Sequence, residues 1–548
     1  MGAPVHNLSA TTSRPSCGVA ILRHEDRVLD QSRLRSRRRV LWAAGTGGLL
    51  AALGFAARRW HQDSQEKAKI IDPYYSGDAE PGPVTEGLIP PVRTGATIPI
   101  TLENAQSGTR DFTLTGHRFS DDTTGQIAGY TGATSVSAGE TLDFHVSVAP
   151  AQRYRVWVYR LGHYGGAGAR LVATSPWLNG RTQPPPTTHS NGMLSCDWTV
   201  GWRLQIKHDW ISGFYLALLA SSSGHHQWVP FVVRDRVPAT AGLVILPTST
   251  YQAYNQWPRD GRTGRSLYYG YDAAGQRSTD HRSEAVSYDR PYSGNGIPSL
   301  ARHDIGFVQW VEGQGYNLSY ATNEDLHTGR VNPSRYQTVI FCGHDEYWSV
   351  EMRRAAATAR DNGTSLVFLG ANNCYWRIRY GTSDEQPDER IVGCDKNMTK
   401  IKDPIPLTTQ WRLAGNPEQQ LLGGQYISVI DGHAPLVVQD SGHWFWAGTG
   451  LRHGDQIPKV VWGEADQVMP KVRKPKAVEE AVLAASPYTR KGQSYLQNTV
   501  LYRAPSGAWV FLAGTLGWTA ALYLKGTADS RIQRATRNLL DRVLAARP

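Results

Sequence analysis

At 548 residues the chain is too long for one hydrophobic core and calls for two or three domains, and 19% charged with 40% hydrophobic residues excludes a disordered chain. The net charge of +11 does not mark a nucleic-acid binder. Residues 1–70 carry 12 Lys/Arg against 5 Asp/Glu, so +7 of the excess sits at one end and only +4 is spread over the rest.

In chain order, residues 1–59 read as a leader. RLRSRRRVLW (33–42) runs into an uncharged, glycine-containing stretch from Val40 to Ala57, 18 residues long. Ser36-Arg37-Arg38 ahead of such a stretch resembles a twin-arginine export signal. Arg58 and Arg59 follow at once, and an uncleaved membrane anchor (a transmembrane segment over 40–57) is the second reading, at the lower edge of the roughly 17–25 residues a span needs. Both readings leave the N-terminus cytoplasmic and predict an exported protein on the periplasmic or extracellular face. Residues 60–95, rich in Pro, Gly and acids, are a linker.

From 96 to 236 short alternating runs are separated by turn residues: Thr97–Leu102, Phe112–Gly116, Thr141–Val148, Tyr154–Leu161, Trp202–Lys207, Gly213–Ala220 and Trp228–Arg234. Strand-length runs without intervening helical periodicity predict a β-sandwich. After Val237-Pro238 the texture changes. Leu243–Leu246, Thr338–Phe341, Ser365–Leu369 and Trp509–Ala513 are near-continuous apolar runs, as in strands buried on both faces. Helices are expected at Ser349–Asn362, with Ser349 as cap and Gly363 as stop, and at Ser530–Ala546. Residues 237–548 are therefore expected to form an α/β domain on an open, mainly parallel sheet.

Ligands of such sheets sit beyond the carboxyl ends of the strands. Those ends carry LPTSTYQAYN (246–255), FCGHDEYW (341–348), LGANNCYW (369–376) and AGTLGW (513–518), which should share one face. Three ionisable groups, His344, Asp345 and Glu346, follow one strand directly, where unpaired charge is costly. In an extended loop His344 and Glu346 fall on one side and Asp345 on the other. A salt-bridged cap is the structural reading of that cluster and a metal or catalytic site the functional one. Phenol is a weak acid, with pKa near 10. A strongly Lewis-acidic cation such as Fe(III) could take phenolate and carboxylate together, polarise a carbonyl and acidify water, the two needs of amide hydrolysis.

TSTYQAYN, SLYY (266–269), VSYDRPY (286–292), ATNEDLH (321–327), GHDEYWS (343–349) and LGANNCYW, in this order, resemble the large (beta) subunit of N,N-dimethylformamidase. The likeness spans roughly 150–525 and is densest over 235–380. The resemblance implies a β-sandwich ahead of an α/β domain of the class I glutamine-amidotransferase type. It implies a mononuclear iron, Fe(III), held by two tyrosinates and a glutamate, with a small amide as substrate. Carried over motif by motif, Glu346 is the carboxylate ligand and Tyr254 one tyrosinate. The second is placed at Tyr215 in SGFY, on a sandwich strand reaching across the domain boundary. His344 becomes a proton carrier or a support of the ligands, and Asn372 orients substrate or water. A small-subunit partner or a homo-oligomer belongs to the same expectation.

Two other function classes compete. A cysteine hydrolase would use Cys342 or Cys374 with His344, although Phe341 before Cys342 makes a poor nucleophile elbow. A non-enzymatic envelope protein would bind glycans through a surface rich in tryptophan. The five cysteines, an odd number without a CxxC, exclude a disulfide scaffold and a zinc-finger pattern.

Overall fold

The computed structural model describes residues 99–113, 116–381, 389–396 and 408–545. The leader, the linker and the 40–57 anchor lie outside them. The expectation of a transmembrane segment is corrected: among the described residues no helix is long and apolar enough to cross a membrane. The longest of them, Ser530–Leu544, has 15 residues and is amphipathic, against the ~20 apolar residues a bilayer core requires.

Two expected strands are also corrected. Pro99–Asn104, which overlaps the expected strand Thr97–Leu102, is a helix (α1) that begins on proline, whose missing N–H costs nothing at a first helical position. Phe112 lies in turn structure and not in a strand. From there sheet dominates. A three-stranded sheet contains β1 (Ile127–Thr131), β2 (Thr141–Val148) and β5 (Val200–Gln205). It faces a larger sheet built on β3 (Arg153–Leu161), β4 (Ala169–Thr174), β6 (Gly213–Ser221) and β7 (His225–Arg234). Val146, Phe144, Val156, Val158, Ala217 and Leu219 fill the space between the two.

The sheet of the second half has seven strands. In spatial order they are β9 (Leu318–Thr322), β8 (Gly242–Leu246), β10 (Thr338–Phe341), β11 (Ser365–Phe368), β14 (Trp509–Leu512), β13 (Gln493–Arg503) and β12 (Glu479–Arg490). The first five run parallel; the last two join antiparallel as a long hairpin. A further two-stranded ribbon, Gln425–Val437 with Gln456–Gln467, packs beside them. Uninterrupted apolar runs do not mark either ribbon, because these strands mix polar with apolar residues.

Alternation along the central strands explains why they are apolar throughout. Val244, Leu246, Ile340 and Val367 meet one core, shared with helices α3 (Ala301–Gly313), α6 (Gly517–Tyr523) and α7 (Ser530–Leu544). Leu243, Ile245, Val339, Phe341, Leu366 and Phe368 meet another, shared with Met352 and Ala356 of α5 (Val350–Asp361). Both faces are covered, and each parallel strand ends in a loop at one edge of the sheet.

Candidate functional site

Three of those loops are shaped by local chemistry. β8 runs through Pro247 into a seven-residue helix, α2 (Thr248–Tyr254), whose last residue is Tyr254. After β10 the chain turns at Gly343, in the left-handed region at φ +55, where a Cβ would press on Asp304 Oδ1 at 2.6 Å. It then passes His344, Asp345 and Glu346 to a short strand, Tyr347–Ser349, and Ser349 Oγ accepts from Met352 N at 3.2 Å to start α5. After β11, Gly370 lies so close to Gly343 O that no side chain fits between the loops. Asn372 follows in the left-handed region at φ +56, its backbone N–H donating to Asp466 Oδ1 at 2.9 Å. The 513–518 stretch and the residue after it support this last loop: Gly514 N–H donates to Gly370 O at 3.1 Å and Thr519 Oγ1 to Leu369 O at 2.9 Å.

The loops meet on Glu346, which is fully buried. Its Oε2 accepts from Tyr254 Oη at 2.9 Å and from Tyr268 Oη at 2.8 Å. The two phenol rings stack with centroids 4.3 Å apart. Asn372 Nδ2 donates to Glu346 Oε1 at 3.2 Å. His344 Nε2 lies 3.2 Å from Glu346 Oε2 and 3.4 Å from Tyr254 Oη. The other ring nitrogen, Nδ1, is 3.0 Å from Ala371 O and 3.4 Å from Glu464 Oε2. A carbonyl oxygen only accepts, so Nδ1 carries a hydrogen and Nε2 is the atom turned toward the cluster.

Electrostatics keep this arrangement poised. Burial first, and then the Glu346 charge, push the Tyr254 and Tyr268 phenols well above their ordinary range. Three hard oxygen donors thus converge where only a cation could hold all of them as anions. Asn372 Oδ1 is buried with no hydrogen-bond partner and offers an acceptor beside the carboxylate. On the far side of the loop, burial raises Asp345 to about 8, partly offset by the hydrogen bond from Asn323. That carboxyl points away from the cluster, to Asn323 Nδ2 at 3.2 Å. Among the described residues no group of three or more His, Cys, Asp or Glu is placed to hold a metal ion. The donor set here is instead two phenols and one carboxylate.

Tyr254, Glu346, His344 and Asn372 therefore stand together. Tyr215 does not, and its placement as a ligand is corrected. On β6, Phe214, Leu216 and Leu218 face the α/β half, while Tyr215, Ala217 and Leu219 face the sandwich interior. Tyr215 stacks between Trp210 and Phe231 at 5.2 and 5.4 Å and donates to Ile211 O at 2.8 Å. Strand parity turns it away from Glu346.

The cysteine reading finds no support. No hydrogen bond joins Cys342 to His344; burial, then Asp304, drives the Cys342 thiol far above its ordinary range, and burial takes Cys374 to about 12. The tryptophans expected on a glycan-binding surface are mostly core residues. Among the described residues the exposed large hydrophobic side chains include a single aromatic, Trp177.

Two residues escaped sequence reasoning. Tyr268, in SLYY, is set by Ser266, whose Oγ accepts from Tyr268 N at 3.1 Å, while Leu267 N–H donates to Ala253 O at 3.0 Å on α2. Its signal was a second tyrosine motif close behind the first. Glu464 lies on the strand Gln456–Gln467 with Asp466, both buried. Two carboxylates in WGEAD, among buried apolar residues, are the signal that could have found it.

A family model described as N,N-dimethylformamidase beta subunit-like, C-terminal, matches residues 155–530. The N,N-dimethylformamidase beta subunits of Paracoccus aminophilus and of an Alcaligenes species are 24% and 25% identical to this chain over 223 residues. That stretch is 35% of this chain and 29% of each relative, so the match spans less than a third of the relatives' own length. Among solved structures, a superoxide reductase (neelaredoxin) variant of Ignicoccus hospitalis is 11% identical over 20% of this chain and 81% of its own. Its TM-score of 0.13 is too low to bear on the fold.

Proposed function

Because the chain belongs to the N,N-dimethylformamidase beta subunit-like family, we propose that it hydrolyses the carbon–nitrogen bond of a small amide at the Glu346 cluster. The observation that carries this reading is the approach of two phenol oxygens, at 2.9 and 2.8 Å, to one oxygen of a buried carboxylate. Tyr254, Tyr268 and Glu346 are the residues that would hold a single hard, trivalent iron. When bound, such an ion supplies Lewis acidity that polarises an amide carbonyl and acidifies water.

The rest of the chemistry falls to the chain's own groups. Asn372 Oδ1, buried and unpartnered, accepts a hydrogen from the attacking water and fixes its direction. His344 Nε2 takes a proton from that water and returns it to the leaving amine, and positioned acid–base catalysis of this kind is worth ~10²–10⁴-fold. Glu464 and Ala371 O hold Nδ1 and so keep Nε2 facing inward. Burial of Glu346, His344 and Asn372 keeps bulk water from competing for the same contacts.

The substrate class, a small linear amide of the formamide type, comes to this chain from the relatives' names. So does the expectation of a subunit partner, since both relatives are named as beta subunits. The five parallel strands with helices on both faces are the feature that supports the class I glutamine-amidotransferase comparison. Ser36-Arg37-Arg38 ahead of Val40–Ala57 supports an exported protein.

Metal analysis with a visible absorption spectrum tests the proposal. The expected result is stoichiometric iron with a tyrosinate-to-iron charge-transfer band that Tyr254→Phe and Tyr268→Phe each abolish, and release of formate from formamides. A colourless protein that stays metal-free after loading with iron, or an iron protein inert on every small amide, would overturn it.

A further inference from the structure

Against the Tyr268 ring lies a lysine that the chemistry above does not use. Lys396, 3% exposed, follows the short strand Ile391–Gly393. Its Nζ stands 3.5 Å from the Tyr268 ring centroid, 4.8 Å from that of Trp376 and 5.0 Å from that of Tyr347. It also donates to Tyr347 Oη at 2.6 Å. One face of Tyr268 is taken by the stacked Tyr254 ring, which leaves the ammonium the other.

Burying an ammonium is costly, and three π-faces with one phenol oxygen recover part of the cost. A structural lysine could do with any aromatic cage, but this cage is shared with a residue that touches Glu346. We propose that Lys396 is a positioning residue that sets how strongly Tyr268 donates to the iron. The proposal rests on the iron reading given above.

The physical reason is charge. A cation over an aromatic face attracts the ring's π density, and it attracts a phenolate far more strongly than a neutral phenol because a full opposite charge faces it at close range. Density held toward the ammonium is withheld from the metal. The iron then remains a stronger Lewis acid than two unrestrained phenolates would leave it, and the filled Tyr268 orbital from which charge transfer starts is lowered in energy. Removing the cation raises that orbital and moves the band to longer wavelength. The ammonium also clamps Tyr268 between itself and Tyr254, which fixes where the phenol oxygen points.

The test uses the iron-loaded full chain and compares wild type with Lys396→Met and Lys396→Arg. Expected are unchanged iron content, a band displaced to longer wavelength in Lys396→Met, a lower kcat at similar KM, and return of the band toward wild type in Lys396→Arg, which keeps the cation. A role in folding alone would lower protein yield or iron content without moving the band of the fraction that binds iron. If Lys396→Met does not fold, Lys396→Gln, which keeps a donor for Tyr347 but no charge, is read by the same band. A wild-type band that neither neutral variant displaces overturns the role of Lys396 and leaves the iron reading standing. A wild-type protein with neither iron nor band overturns that reading, and this one with it.

Discussion

At the scale of single residues, the site depends on which tyrosines can reach one carboxylate. Tyr268 does so at 2.8 Å, and Tyr215 spends its hydroxyl on Ile211 O inside the sandwich. Tyr268→Phe is expected to abolish iron binding and to cost at least ~10² in kcat/KM, on the scale of losing a group that organises transition-state charge. Tyr215→Phe removes one hydrogen bond and is expected to cost only ~1 kcal/mol in a denaturant titration while activity persists. Glu464→Gln keeps the shape but not the charge behind His344 Nδ1, and activity should fall ~10–100-fold with the iron band retained.

Asp304 offers a pH test away from the metal donors. It sits behind the Gly343 turn, accepting from Tyr251 Oη, and burial raises it to about 7, partly offset by the hydrogen bond from Tyr251. Its folded value lies above the ordinary 3.8, so the folded state holds this proton more tightly than the unfolded chain. The stability it contributes is fully present below pH ~4 and is lost as pH rises through about 7. Thermal melts of Asp304→Asn should therefore show a flatter profile than wild type between these limits. A wild-type profile that already lacks any decline there would show that Asp304 ionises freely in the fold.

At the scale of elements, the loops are held by backbone contacts that leave no room. Gly370 abuts Gly343 O, so Gly370→Ala must separate the loop that carries Asn372 from the loop that carries Glu346. The expected outcome is loss of iron and activity, with destabilisation of at least the ~1–3 kcal/mol typical of overpacking. Ser349→Ala, which removes the α5 cap next to the short strand after Glu346, should cost ~1 kcal/mol and leave the iron band in place.

The same elements show what a sequence can disclose. Continuous apolar runs mark strands covered on both faces, and the parallel strands β8, β10, β11 and β14 lie within one residue of those runs. GHDEYW and TYQAYN stood out as candidate-site segments because ionisable and phenolic groups directly follow such runs, and the fold brings Tyr254 and Glu346 together. Tyr215 was misplaced because composition does not say which side of a two-faced strand looks toward the neighbouring domain; only the parity of Phe214, Leu216 and Leu218 against that domain does. Tyr268 and Glu464 come from an irregular loop and a polar-patterned ribbon, where the approach to Glu346 and His344 depends on long-range pairing that no local period encodes.

At the scale of the whole molecule, buried charge joins the sandwich to the α/β half. Arg160 of β3 makes two hydrogen bonds to Glu312 of α3, Nη1 to Oε2 at 3.0 Å and Nη2 to Oε1 at 2.8 Å, with both side chains 1% exposed. Tyr320 Oη on β9 and Asn104 Nδ2 on α1 donate to the same carboxylate at 3.0 and 3.2 Å. A second junction gathers Thr134 of the sandwich with Thr248, Tyr288 and Tyr380 around Glu324. Both carboxylates are far from bulk water, so their worth lies less in net attraction than in the penalty for breaking a pair. Glu312→Ala strands a buried guanidinium and should cost ~3–5 kcal/mol. Arg160→Met combined with Glu312→Leu removes both charges and should recover most of that loss, since well-packed apolar side chains replace a buried pair at little cost. Urea denaturation of wild type, Arg160→Met, Glu312→Leu and the double variant measures the coupling. A double variant as unstable as the sum of the singles would mean that the junction is held by packing of Trp310, Leu161 and their neighbours and that the ion pair contributes nothing specific. Because α3 also carries Asp304 against the Gly343 turn, the uncoupled singles should in addition lose iron at lower urea than they unfold, whereas the double variant should lose both together.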